Sequence, residues 1–216
     1  MDGVVADSHP VHIKAWRKLL ASMGKKVIDA DLEVVRDGRK KEDMLRHFFG
    51  DLAASQIQAY GAEKDRLFAE EIQNIKAVAG IRELLRELAK AAIPLGMASS
   101  GATARVRRML DLLDLSGFFA AVVTGDEVTI GKPHPAGFRK AAERLQVPAG
   151  ELLVFEDAVS GVKGAAAAGM RCFGIAKHRR AATLIQAGAE RVFPDFRKVS
   201  VGYIRKSFDE VSTLPE

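Results

Sequence analysis

The chain has 216 residues, 48% hydrophobic, 28% charged and only 6% aromatic, with a formal net charge of +5, a globular composition long enough to bury a core without disulfides. Its one cysteine, Cys172, excludes an intrachain disulfide and a multi-cysteine metal site and fits a reducing compartment, so the expected location is the cytoplasm. No apolar run approaches the roughly 20 residues of a membrane span, no basic leader opens the chain, and 33 basic residues are scattered against 28 acidic ones without a nucleic-acid-reading motif, so neither a membrane nor a nucleic acid is an expected partner.

Residues 8–75 read as helix. Pro10 lies inside a first turn, Val11, Ala15, Trp16, Leu19, Leu20 and Met23 share one face, and Gly24 closes the helix. Further helical patterns cover 42–49 and 62–72, with no β-branched run between them. After Gly80 the period alternates. Helices at 81–91, 102–113, 135–145, 159–168 and about 181–187 are separated by short apolar runs at 93–98, 120–124, 152–155, 171–176 and 191–193. This alternation predicts βαβ units, hence a doubly wound α/β domain with a mostly parallel, Rossmann-like sheet. An all-helical segment is inserted near its start. Cys172 reads as a small buried hydrophobe, Trp16 as packing within the helical segment, and the cluster His178, Arg179, Arg180 as solvent-facing.

Ligands of such sheets bind beyond the carboxyl ends of the strands. There the sequence places Ser99, Ser100 and Gly101; then Gly125, Asp126 and the loop Gly131, Lys132, Pro133; then Glu156 and Asp157. A hydroxyl, an ammonium and two carboxylates suit a phosphoryl group with a divalent cation. Each feature alone also has a plain reading: a helix cap for Ser99, a solvated loop for Lys132, a helix start for Glu156 and Asp157. Their succession on three strand ends, with Asp2 and Gly3 at the beginning, favours the shared site.

These residues resemble the haloacid dehalogenase superfamily of phosphohydrolases, in the branch of β-phosphoglucomutase and phosphoglycolate phosphatase. Asp2-Gly3 with Val4 to Ser8 is similar to the first motif, Met97-Ala98-Ser99-Ser100 to the second, Gly131-Lys132-Pro133 to the third, and Val154 to Val162, containing Glu156-Asp157, to the fourth. The resemblance implies a core formed by 1–9 and 78–216 and a mobile helical cap formed by 10–77. It implies Asp2 as general acid and base, with its main-chain carbonyl on Mg²⁺. Ser99 and Lys132 would bind the phosphoryl group, and Glu156 and Asp157 the metal. In the cap, His12, Lys41 and Lys64 fall at positions near the substrate. Gly3, Ser100 and Gly101 complete the expected substrate-binding set.

The family's nucleophilic aspartate stands two positions before Asp2, one place ahead of Met1, at the end of a short apolar strand. The expectation is therefore that the first central strand is truncated here and that a longer chain supplies the nucleophile. The loop after Ser99, Ser100-Gly101-Ala102-Thr103, lacks the Lys-Asn pair with which the mutases grip the non-transferring phosphate, which favours hydrolysis. The implied activity is a Mg²⁺-dependent phosphatase acting on a small phosphorylated metabolite through an aspartyl-phosphate. A sugar phosphate mutase and a catalytically silent phospho-ligand-binding module are the alternatives. A monomer or weak homo-oligomer is expected.

Overall fold

The computed structural model describes residues 1–212, apart from the side chains of His178 and of residues 210–212. Its first residues form a compact turn rather than a strand. The Val5 and Ala6 amides donate to Met1 O (2.9 and 3.1 Å), and the Gly3 amide to Ala6 O (2.8 Å). Gly3 has φ +66°, where glycine carries no steric cost. The turn is tied to the chain at 76–78 by Asp7 N to Lys76 O and Val78 N to Val5 O.

Three helices follow: α1 (His9–Ser22), α2 (Lys41–Phe49) and α3 (Ala54–Glu71), with a 3-10 segment Asp29–Asp37 between the first two. In α1, Ala15, Trp16, Leu19 and Leu20 are buried at helical spacing. They face α3, whose Leu67 and Phe68 are buried. Met23, expected on that face, is 40% exposed because the helix has already ended. Helix α3 begins eight residues before the predicted start at 62; the Ala53 amide is capped by Gln56 Oε1 at 2.9 Å.

The α/β part runs α4 (Ile81–Lys90), β1 (Gly96–Ala98), α5 (Thr103–Leu112), β2 (Ala121–Val123), α6 (Ala136–Leu145), β3 (Leu153–Glu156), α7 (Val159–Ala167), β4 (Arg171–Ile175), α8 (His178–Gln186), β5 (Arg191–Phe193) and α9 (Val201–Ser212). Every strand pair is parallel. The alternation predicted this series except α9, which packs Ile204 into the core. The strands form two pieces, β1-β2 and β3-β4-β5. Between β1 and β3 lies an apolar slot of about 240 Å³, covered by Leu84 and Leu85 of α4 on one side and Phe138 and Ala142 of α6 on the other. Met1, Val4 and Val5 line it too. The expected single sheet is thus divided where the expected first strand belongs.

Cys172 is buried in β4. Of the basic cluster, Arg179 is exposed, and Arg180 donates to Arg36 O at 3.2 Å; the side chain of His178 lies outside the described set. No helix among the described residues is long and apolar enough to cross a membrane.

Candidate active site

Strand β1 stops at Ala98, immediately before Ser99, and β3 ends on Glu156, immediately before Asp157. Both ends open into a cavity of about 400 Å³ roofed by the helices, which Asp2, Ser99, Lys132, Glu156 and Asp157 all line. The hydroxyl of Ser99, in a residue only 8% exposed, accepts from the Gly101 amide at 3.1 Å. Its proton remains free to donate into the cavity.

Lys132 donates to Glu156 Oε1 and, at 3.2 Å, to Ala98 O, which locks the third strand-end loop against the first. Glu156 turns back over its own helix start. Its Oε2 accepts from the Asp157 and Ala158 amides (3.1 and 3.4 Å), and Gly161 leaves the room, since a Cβ there would strike the carboxylate. Asp157 Oδ2 accepts from His9 Nε2 at 2.5 Å. A Cβ on Gly3 would run into that same carboxylate and into His9, so the Asp2–Gly3 main chain lies against Asp157.

Asp2 is surrounded by donors. Its Oδ1 accepts from Ser8 Oγ (2.6 Å), His12 Nε2 (3.1 Å) and Arg105 Nη1 (3.0 Å), and Arg105 Nη1 also reaches Oδ2 at 3.0 Å. Burial pushes the carboxyl up, but the Arg105 guanidinium and His12 outweigh it and hold Asp2 well below its usual range. The Lys64 ammonium, 3.0 Å from His12 Nδ1, can only donate, so His12 accepts there and keeps its proton on Nε2. Burial, then the Lys64 charge, lowers His12 to about 3, so the ring is neutral. Lys64 itself is 4% exposed, with its Nζ 4.7 Å from the Phe68 ring centroid and 5.8 Å from that of Trp16. Burial first, then the Arg105 charge, lowers it to about 7.

Two expected substrate groups line the cavity and are each held by a protein partner. Lys41 Nζ donates to Asp65 Oδ2 at 2.5 Å, and Ser100 Oγ donates to Gly38 O at 2.9 Å. Gly101 lies under the Arg105 guanidinium, where a Cβ would collide with it. The cavity thus brings together Asp2, His12, Lys41, Lys64, Ser99, Ser100, Gly101, Lys132, Glu156 and Asp157, while Gly3 lies against the Asp157 carboxylate. It adds His9 and Arg105, which the motifs did not mark. His9 stands three residues before His12 on one helical face, a spacing that was readable. Arg105 sits within α5 with no pattern to single it out.

Asp157 and Glu156 supply the hard carboxylate oxygens that Mg²⁺ favours, and the Asp2 main chain lies against Asp157, so the donor chemistry fits that ion. The Asp2 side chain is not part of this set: it faces Arg105 and His12. Among the described residues no cluster of three His, Cys, Asp or Glu side chains forms a metal cage, so oxygens of other kinds must complete the coordination.

The profile of haloacid dehalogenase-like hydrolases matches residues 1–169. A phosphorylated carbohydrates phosphatase of Thermotoga maritima is 30% identical over 203 residues, 88% of this chain and 89% of that protein. Validoxylamine A 7'-phosphate phosphatase of Streptomyces hygroscopicus subsp. limoneus is 30% identical over 193 residues, 87% of this chain and 88% of its own. Among solved structures, β-phosphoglucomutase of Clostridium difficile superposes with a TM-score of 0.87 over 99% of this chain and 96% of that one, at 23% identity, a likeness of fold.

Proposed function

The chain belongs to the haloacid dehalogenase-like hydrolases, enzymes of the phosphatase and phosphomutase kind, and on that premise we propose that it is a Mg²⁺-dependent phosphomonoesterase for a small phosphorylated carbohydrate or related metabolite. The observation that carries this reading is the meeting of Ser99, Lys132 and the Glu156–Asp157 pair at the strand ends, with the Asp2 carboxylate facing the same cavity. The Ser99 hydroxyl donates to a phosphoryl oxygen, and Lys132 offsets its charge. Asp157 and Glu156, with the Asp2 carbonyl, would hold Mg²⁺, which would supply further charge neutralisation at the phosphoryl group.

Asp2 moves the protons: once protonated it gives one to the departing ester oxygen, and as a carboxylate it takes one from the attacking water. The family pattern places the nucleophilic aspartate two positions before Asp2, outside this sequence. In the family's mechanism that carboxylate oxygen bonds to phosphorus as the ester oxygen leaves, and water later releases inorganic phosphate and restores the carboxylate. Residues 10–77 act as the cap. Lys40 supports this role, donating to the carbonyls of Gly125, Val128 and Thr129 at 3.2, 2.7 and 3.3 Å across the cavity rim.

Hydrolysis is favoured over phosphoryl isomerisation by the loop after Ser99, which lacks the mutases' Lys-Asn pair. Ala102 offers no side-chain donor there. The Thr103 hydroxyl is 2.7 Å from Thr124 Oγ1, and its amide donates to Asp126 Oδ2 at 2.7 Å. The test is incubation of the protein purified from its native source with Mg²⁺ and a panel of sugar and polyol phosphates in ¹⁸O-labelled water. Label in free phosphate is the expected result. An isomeric sugar phosphate without label would instead establish a mutase, and binding without turnover a silent module.

A further inference from the structure

Arg105 uses only part of its donor fork on the protein. Its hydrogen bonds run through Nη1, to both oxygens of Asp2 and, at 3.6 Å, to Met109 Sδ; the same Nη1 lies 3.1 Å from His12 Nε2, which carries its own proton. The Nε–Nη2 edge has no hydrogen-bond partner among the described residues and lies over Gly101, where only the absence of a Cβ gives it room. The Arg105 side chain is 16% exposed and lines the cavity, so this edge is held in place and reachable. A guanidinium edge presenting two parallel N–H groups is the geometry that binds a carboxylate or phosphate bidentately.

The charges nearby are unbalanced. Asp2 is the one carboxylate hydrogen-bonded within the group Asp2, His12, Lys64 and Arg105, against two cations. Lys64 is almost fully buried, and its hydrogen-bond partner is the His12 ring rather than an acid. A buried cation without a counter-ion is costly, and an anion entering beside it removes that cost. Elsewhere at the cavity wall Lys132 is paired with Glu156 and Lys41 with Asp65, while Lys40 donates to three main-chain carbonyls.

Position decides which part of a substrate this group meets. On the reading above, Asp2 works at the ester oxygen, between the transferring phosphoryl group at Ser99 and Lys132 and whatever leaves. Arg105, His12 and Lys64 gather around Asp2, with His12 and Lys64 on the helices of the cap, so they face the leaving portion. We propose that the Nε–Nη2 edge of Arg105, laid over Gly101 and backed by Lys64, binds a second anionic group, a carboxylate or a phosphate, on the leaving portion of the substrate. The inference rests on the phosphomonoesterase reading and narrows its substrate class to short doubly anionic phosphate esters. Gly101 is then a specificity residue through the space it leaves.

The test is calorimetric binding to the full chain with three probes: 2-phosphoglycolate, with a carboxylate; 1,3-propanediol bisphosphate, with a second phosphate; and ethyl phosphate, with neither. At least one doubly anionic probe is expected to bind about tenfold or more tightly than ethyl phosphate, the size of one charge-assisted bidentate contact. The arm that gains identifies the anion. Arg105→Gln is expected to weaken the favoured doubly anionic probe far more than ethyl phosphate, so that the preference disappears, and Arg105→Lys, which keeps the charge without the fork, to retain only part of it. Equal affinity for all three probes overturns the inference, as does an equal loss for all three in Arg105→Gln, which would place Arg105 at the transferring phosphoryl group. Binding of none of them removes the phosphomonoester reading and the inference with it. Circular dichroism confirms that both variants fold; if Arg105→Gln does not, Arg105→Lys decides, with an unchanged preference in that variant overturning the bidentate contact.

Discussion

Lys132 and Glu156 illustrate how a single side chain serves stability and site at once. Their side chains are only 13% and 7% exposed, and each is the other's counter-ion. Lys132→Met leaves the Glu156 carboxylate buried without its partner, and a loss of about 3–5 kcal/mol is expected in urea unfolding. Adding Glu156→Gln to that variant should recover most of the loss; a single variant as stable as the parent contradicts the pairing. Lys64 gives a pH signature. Its folded pKa is lowered from 10.5 to about 7, by burial and then by Arg105, while Asp65 and Asp2 oppose the shift and Lys41 adds to it. Below pH 7 the folded protein carries the full penalty of a buried charge. Between pH 7 and 10.5 the unfolded chain binds a proton that the folded one has released, so this penalty fades as pH rises. Lys64→Met should therefore be stabilised most, relative to the parent, below pH 7, with the advantage shrinking towards pH 9.5 in paired urea titrations. A pH-independent difference would show that Lys64 stays charged.

Residues marked by motif position were legible in the sequence: Ser99, Lys132, Glu156 and Asp157 all arrive at one cavity because parallel strands deliver their carboxyl ends to one edge. Arg105 was not legible. Its reach to Asp2 depends on the fold of the Asp2–Gly3 turn and on the missing Cβ of Gly101, relations between distant segments that no local pattern encodes. Lys41 and Ser100 line the same cavity, and their protein partners, Asp65 and the Gly38 carbonyl, become visible only in the folded chain.

Among the elements, the pairing of α1 with α3 aims His12 and Lys64 at Asp2. Phe68, 2% exposed, is the hinge of that packing: its ring lies 4.4 Å from that of His12, and it sits under both Lys64 and Arg105. Phe68→Ala is expected to cost about 3–5 kcal/mol and to weaken phosphate-ester binding, because the two cations lose the surface that holds them. Unchanged binding in a measurably destabilised variant would separate the packing from the site. Element boundaries were legible where apolar spacing and punctuation coincide. The first half of α3 is polar and alanine-rich, so its periodicity was faint there. Helix α9 carries Val201, Ile204 and Phe208 at helical spacing, a pattern present in the sequence but beyond the last strand of the predicted series.

At the scale of the whole molecule, the divided sheet is the dominant feature. The β3-β4-β5 piece is packed on aromatic contacts such as Phe155–Phe173 and Phe155–Phe196, with ring centroids 5.9 and 5.2 Å apart. The β1-β2 piece has two short strands and borders the apolar slot. Two-stranded sheets are marginal without further partners. Amide exchange should therefore be faster at Met97 and Val122 than at Cys172 and Phe173; uniform protection across both pieces would show that they unfold as one unit. The sequence marked the five strands and their parallel order, but the separation of β1 from β3 is a property of packing across the slot, visible only once α4 and α6 are in place.

The measurement that bears most directly on the central claim is Mg²⁺-dependent release of inorganic phosphate by the protein purified from its native source, compared with the same protein carrying Asp157→Asn. Phosphomonoesterase chemistry at the strand ends predicts phosphate release that requires the cation and falls at least about 100-fold in the variant, in line with the loss of an electrostatic group acting at the transferring phosphoryl. Phosphate release that persists without Mg²⁺, or that is unchanged by Asp157→Asn, would contradict it.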